Sequence, residues 1–126
     1  MIATGTGIAP IKSMLLSLLG QTGTRRIRLF FGLRNVSDLF YAHMLSDLRN
    51  THPWFEPTII LSQPDPMGWP GLRGRVTDLI SEQVSADEAS NTDAYLCGGR
   101  PMIEEAKRLL IHKGMKVDRI RHENFF

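Results

Sequence analysis

Thr4-Gly5-Thr6-Gly7-Ile8-Ala9-Pro10 is the stretch whose reading decides the fold. A short apolar run, Met1-Ile2-Ala3, leads into it, and an amphipathic segment, Ile11-Lys12-Ser13-Met14-Leu15-Leu16-Ser17-Leu18-Leu19, follows. Strand, glycine turn and helix in that order leave backbone N–H groups free at a helix amino terminus, where phosphate and other anions bind. Pro10 suits the first helical turn, since its missing N–H has no partner to lose there. The alternative is a tight turn that needs glycine only for its backbone geometry. Two phosphate motifs can be tested on it. The P-loop ends in G-K-[ST]; Lys12-Ser13 supplies the last two, but Thr6 and Ile11 stand where its glycines belong. The fingerprint G-x-G-x-x-G matches at Gly5 and Gly7 and fails at Pro10. Its acidic residue, about 20 positions on at the end of the second strand, is also missing, because that segment reads Gly32-Leu33-Arg34. The turn looks phosphate-directed, but not in the manner of an ordinary dehydrogenase.

Working outward, strand and helix signals alternate. Arg26-Ile27-Arg28-Leu29-Phe30-Phe31-Gly32 alternates and then runs apolar, as a buried strand does. It follows turn chemistry at Gly20-Gln21-Thr22-Gly23-Thr24. Ser37-Asp38 offers a cap for a helix from Leu39 to Leu48, with Leu39, Phe40, His43, Met44 and Leu48 near one face. Phe55 to Leu61 is a third strand, and residues 62–75 an ordered surface loop built around Trp69. Arg75 to Ser81 reads as a short helix, joined by the polar run Val84 to Thr92 to a fourth strand, Ala94-Tyr95-Leu96-Cys97. Gly98-Gly99 turns into a helix from about Pro101 to Lys113, with Met102, Ala106, Leu109 and Leu110 inward, and Gly114 ends it. Val117 to Asn124 is the last strand, before Phe125-Phe126.

This alternation predicts an α/β fold: a three-layer open parallel sheet with helices on both faces. Right-handed crossovers and one reversal give five strands in the order 3-2-1-4-5. The reversal brings Thr4–Gly7 beside Cys97–Gly99 at the point where open sheets of this kind bind ligands.

Composition bounds the function. The 126 residues make one domain, and a net charge of +2 without a basic stripe argues against nucleic acid. Arg25, Arg26 and Arg28 read as a solvated strand edge. The lone Cys97 excludes an internal disulfide framework and a cysteine zinc cluster, and is compatible with a reducing cytoplasm. No run approaches the ~18 apolar residues of a membrane span. The histidines (His43, His52, His112, His122) lack metal-ligand spacing and read as structural or surface residues, so no metal is expected.

With these residues placed, the chain resembles the nicotinamide-nucleotide domain of the ferredoxin–NADP reductase family of flavoproteins. Thr4 to Pro10 with Ser13 is similar to the family's G-[TA]-G-[IM]-[AT]-P turn, and Phe31-Gly32-Leu33-Arg34 with Asp38-Leu39-Phe40-Tyr41 to its second-strand segment. Leu61-Ser62-Gln63-Pro64 through Trp69, Gly71 and Gly74-Arg75-Val76 looks like the loop of NADH-using members. Cys97-Gly98-Gly99-Arg100-Pro101-Met102 matches C-G-x-x-x-M, and Glu123-Asn124-Phe125 the acid-x-aromatic ending.

The resemblance implies hydride transfer between a nicotinamide and a flavin, with electrons passed on to an iron–sulfur centre or an oxygenase. It implies a cofactor site of Thr4, Gly5, Thr6, Gly7, Pro10, Gly32, Arg34, Ser62, Gln63, Cys97, Gly98, Gly99, Arg100 and Met102. Cys97 would position the nicotinamide, Glu123 polarise it or relay a proton, and Phe125 cover the flavin or hold the nicotinamide's place. Each keeps a plainer alternative: a small buried hydrophobe, a solvated strand-end carboxylate and an aromatic at a core edge. A 2′-phosphate asks for a fork of cationic donors. Ser62 is followed by Gln63-Pro64-Asp65, where Asp65 would repel that phosphate, so NADH is the expected cofactor. Arg34, Arg73 and Arg100 keep NADPH open. A non-catalytic nucleotide-sensing subunit is the alternative of a different class.

Family members carry an antiparallel FAD-binding barrel of about a hundred residues before this domain. The expectation from Met1 standing three residues before Thr4 is a truncated first strand, in a fragment of a larger flavoprotein. Such a fragment would bind nucleotide without transferring hydride on its own.

Overall fold

A computed structural model describes residues 1–21, 25–64 and 66–125. The readings that fall on Thr22, Gly23, Thr24, Asp65 and Phe126 lie outside the described residues. Parallel strands β1 (Ile2–Thr4), β2 (Ile27–Leu33), β3 (Phe55–Leu61), β4 (Leu72–Arg73), β5 (Ala94–Gly98) and β6 (Ile120–Asn124) form one sheet in the order β4-β3-β2-β1-β5-β6. Helices α1 (Ile8–Leu19), α2 (Ala42–Thr51), α3 (Val76–Gln83), α4 (Ala86–Ser90) and α5 (Arg100–His112) complete it.

Successive strand residues point to opposite faces, and here both faces are apolar. Ile2, Phe30, Ile60 and Leu96 enter a core with Val76, Leu79, Ile80, Ala89, Ile103, Ala106 and Leu110 of α3, α4 and α5. Their neighbours Ala3, Leu29, Phe31, Leu61 and Cys97 enter a second core with Ile8, Ile11, Leu15 and Leu19 of α1 and Leu45 of α2. That is the three-layer arrangement expected, and it explains the unbroken apolar runs: a strand covered on both sides has no solvent face.

The structure corrects several expectations. The sheet has six strands, not five. Leu72–Arg73, inside the segment read as a loop, pairs with Ile60–Leu61 at the edge beyond β3. The other five strands keep the expected order. Two exposed residues among prolines and glycines carry no alternation, so no strand pattern could announce them. Helix α2 starts at Ala42, not Leu39. Val36–Asp38 forms a 3-10 turn in which the Asn35 side chain accepts from Val36 N–H (2.7 Å) and the Asp38 carboxylate accepts from Asn35 N–H (3.1 Å). Asn35 therefore caps this turn, and α2 itself, entered from Tyr41, has no side-chain cap, so the expected Ser37-Asp38 cap of the helix does not form. Tyr41 follows with φ 64°, a left-handed conformation uncommon outside glycine, and starts α2 from there. Phe40 packs edge-on against Phe31 and Tyr41, while Lys12 lies 4.5 Å over the Tyr41 ring. On α2 the buried residue is Leu45, whereas His43 is almost fully exposed beside Asp47.

Polar run 84–92 holds the short helix α4, capped by Ser85, whose hydroxyl accepts from Glu88 N–H (3.1 Å). Val117–Arg119 is a 3-10 turn, and β6 begins only at Ile120. Arg28 is no solvated edge. Its Nη1 donates to both Glu88 oxygens (2.8 Å each) and to the Gln83 carbonyl (3.0 Å), and its guanidinium stacks 4.9 Å over Phe30. No helix among the described residues is long and apolar enough to cross a membrane.

Candidate functional site

The reversal in strand order falls between β1 and β5, where crossovers leave on opposite faces of the sheet. Close backbone approach makes that seam. A Cβ on Gly7 would overlap the Cys97 carbonyl and stand 2.8 Å from Gly98 N; a Cβ on Gly98 would overlap the Thr4 hydroxyl. Only glycine fits either position, so the two glycine turns, expected side by side from the strand order, are one packed unit. Gly5–Gly7 forms a 3-10 turn that runs directly into α1, and Gly99 precedes α5, with Pro101 in that helix's first turn.

Above the seam lies a cleft of about 770 Å³ at the carboxyl ends of the strands. Its floor is Thr4, Gly5 and Thr6 after β1, with Gly32, Leu33 and Arg34 at the end of β2. Ser62 and Gln63 form one wall; their N–H groups donate to the Leu33 and Arg34 carbonyls (2.9 and 2.8 Å), which holds them alongside Arg34. Gly99, Pro101, Met102 and Glu105 form the wall opposite. Nine residues expected at a cofactor site thus converge: Thr4, Gly5, Thr6, Gly32, Arg34, Ser62, Gln63, Gly99 and Met102. The volume suits a small-molecule ligand, since such pockets run ~300–1,000 Å³.

Other expected residues do not line the cleft. Gly7 and Gly98 are buried beneath it as packing positions, and Pro10 lies further along α1. Arg100 points along its own helix, with Nε donating to Glu104 (2.9 Å). Arg73 donates to the Pro66 and Trp69 carbonyls (3.2 and 2.7 Å). Cys97, Glu123 and Phe125 form a neighbouring group. Cys97 and Glu123 are register partners across β5 and β6, and Phe125 N–H donates to the Gly98 carbonyl (3.0 Å). Phe125 is itself exposed, while the Cys97 side chain belongs to the core against α1.

Burial pushes the Cys97 thiol up to about 11, and the Glu123 carboxylate adds to the push. The thiolate is the reactive form, so at neutral pH Cys97 is neither nucleophile nor base. Against an unperturbed value of 9.0, the thiolate fraction at pH 8 falls about a hundredfold. Iodoacetamide labelling of the folded chain at pH 8 is therefore expected to be at least that much slower than in urea; comparable rates would contradict the placement.

Sequence reasoning missed the amino end of α3 as part of the site. Arg75, Val76 and Thr77 line the cleft together with Gly74, and Asp38 and Phe40 reach it from the segment after β2. Gly74-Arg75-Val76 had a signal only in its loop pattern; Thr77 had none. Among the described residues, no three His, Cys, Asp or Glu side chains are grouped to hold a metal ion.

Comparison with known proteins fits this geometry. A family model described as the oxidoreductase NAD-binding domain matches residues 1–108. The chain is 35% identical over 126 residues to the reductase component of phenol 2-monooxygenase, DmpP, from Pseudomonas sp. (strain CF600), covering 99% of this chain and 35% of that protein. It is 31% identical to the ferredoxin–NAD(P)(+) reductase component of the naphthalene 1,2-dioxygenase system of Pseudomonas putida, covering 99% and 37%. Among solved structures, the Amycolatopsis cytochrome P450 reductase GcoB superposes with a TM-score of 0.86 at 27% identity, over 98% of this chain and 36% of that one. The chain thus spans about a third of the length of these relatives.

Proposed function

The chain belongs to the oxidoreductase NAD-binding domain family, and on that premise we propose that it binds NADH and presents the nicotinamide to a flavin. The observation that carries this reading is the convergence of two helix-opening glycine turns on one cleft, walled by Ser62 and Gln63. When bound, the nicotinamide supplies the hydride and an FAD, on a domain of the same polypeptide, accepts it. The chain's own residues bind and orient. Backbone N–H groups of the Gly5–Gly7 turn neutralise phosphate charge at the start of α1. Cys97, held protonated, fixes the floor between Gly7 and Gly98 as a positioning residue. On this reading Glu123 and Phe125, both exposed at the end of β6, are offered to the flavin-bearing domain. On this reading an iron–sulfur centre or an oxygenase component would take the electrons from the flavin. A single buried cysteine suits a cytoplasmic home for such a protein.

Two of the three arginines that left NADPH open are committed elsewhere, Arg73 to loop carbonyls and Arg100 to Glu104. This favours NADH. Arg34 and Arg75, which line the cleft, favour the NADPH-preferring alternative. Calorimetric titration separates them: NADH is expected to bind at least about tenfold more tightly than NADPH, a gap of ~1.4 kcal/mol. The reverse order would assign NADPH. Binding of neither would remove the nucleotide reading. Joined to the FAD-binding domain of a relative, the chain is expected to support NADH-dependent bleaching of the flavin absorbance.

A further inference from the structure

Resting on that nucleotide-binding reading, we propose that the amino end of α3, centred on the Thr77 hydroxyl, is a subsite for a phosphate of the dinucleotide. Thr77 is 4% exposed and the one polar or charged residue in the buried set among the described residues. It lines the cleft, yet no hydroxyl, carbonyl or carboxylate among the described residues hydrogen-bonds to its side chain. The residue is buried but its hydroxyl is not sealed from the cleft, so without a protein partner it keeps its hydrogen-bonding capacity for a ligand there.

The surroundings specify the ligand's chemistry. Val76 and Thr77 are the first two residues of an eight-residue helix, so their N–H groups have no acceptor within it. The one carboxylate of that turn, Asp78, is engaged by Arg75 N–H (2.8 Å). Arg75 and Arg34 bring positive charge to the same cleft, while the acidic Glu105 lies on the α5 wall. Two N–H donors, a hydroxyl and a positive helix end match a group that only accepts and carries negative charge, as a phosphate does.

Position supports the same assignment. A Cβ on Gly32 would stand 3.0 Å from Val76 Cβ and 3.3 Å from Thr4 Cγ2, so α3 begins directly beside the Thr4–Gly7 turn. The turn that leads into α1 and the amino end of α3 therefore reach the cleft together, their helices lying on opposite faces of the sheet. A pyrophosphate lying across β1 has one on each side.

The test titrates the 126-residue chain with NADH, ADP and adenosine, as parent, Thr77→Val and Thr77→Ser, with melting curves on each. Thr77→Val is expected to weaken ADP and NADH by tenfold or more, the scale of a hydrogen bond to a charged group. Adenosine binding should hold, and Thr77→Ser should restore both anionic ligands. Parental ADP affinity in Thr77→Val overturns the subsite while leaving nucleotide binding intact. Equal losses for adenosine and ADP also overturn it, assigning the hydroxyl to a ribose. A parent chain that binds no NADH overturns the subsite and the proposed function together.

Discussion

Gly7→Ala is expected to lose the folded binding end of the sheet. The added methyl would stand 2.5 Å from the Cys97 carbonyl carbon and 2.8 Å from Gly98 N, and would overlap the carbonyl oxygen itself. All three are backbone atoms of the adjoining central strand and its turn, so no side chain can swing aside. Relief requires β1 and β5 to part where β1 has only three residues to pair. Overpacking of this kind costs on the order of 3 kcal/mol or more, which corresponds to a fall in Tm of about 10 °C for a chain of this size. NADH affinity should fall with it, because Thr4, Gly5 and Thr6 hang from the same seam. Gly20→Ala is the control. Gly20 has φ −75° and its nearest added contact is 3.5 Å away, so alanine there should stabilise by ~0.4–1 kcal/mol through the unfolded chain. Melting curves decide the matter; a Gly7→Ala protein melting within about 2 °C of the parent would show that the seam is not tightly packed.

Arg28→Ala is the second large effect. Its side chain is 18% exposed and that of Glu88 24%, so the pair sits largely out of water. The guanidinium also holds the Gln83 carbonyl at the end of α3 and covers Phe30. Removal strands a half-buried carboxylate and opens the face of an aromatic ring. A fully buried pair broken this way costs about 3–5 kcal/mol; with residual solvent screening, roughly 2 kcal/mol is expected in urea unfolding. Because much of that loss is the unpaired charge, Arg28→Met combined with Glu88→Gln should recover at least half of it. A single-variant loss below about 0.5 kcal/mol would mark the cluster as ordinary surface.

These two positions also show what the sequence could reveal. The order of the five main strands was legible because the inner ones, β1, β2, β3 and β5, send apolar residues to two covered faces and each crossover is long enough to hold a helix. The glycine turns at Gly5–Gly7 and Gly98–Gly99 were legible because their geometry is local. Arg28 was not: its partners lie 55 and 60 residues away, so its neighbours in sequence make it look like part of a basic edge. Thr77 failed for the same reason. A threonine in a helical first turn is unremarked until the crossover sets that turn over Gly32. Ser62 and Gln63 reach the cleft because parallel pairing with β2 continues past the end of β3. Arg73 and Arg100 are the converse case, with charges that suggested a ligand and instead satisfy their own loop and helix.

Residues 66–75 hold their shape chiefly through bonds to one another. Trp69 Nε1 donates to the Leu72 carbonyl (2.7 Å) and Arg73 closes back on Pro66 and Trp69, while the two-residue β4 ladder, the Gly74 N–H bond to the Leu61 carbonyl (2.9 Å) and the packing of Trp69 against the α1-side core fasten the segment to the rest. Of this segment, Gly74 and Arg75 line the cleft. Arg75 is exposed and belongs to neither core, so on the proposed reading its exchange changes the charge offered to a nucleotide while the scaffold beneath stays as it is.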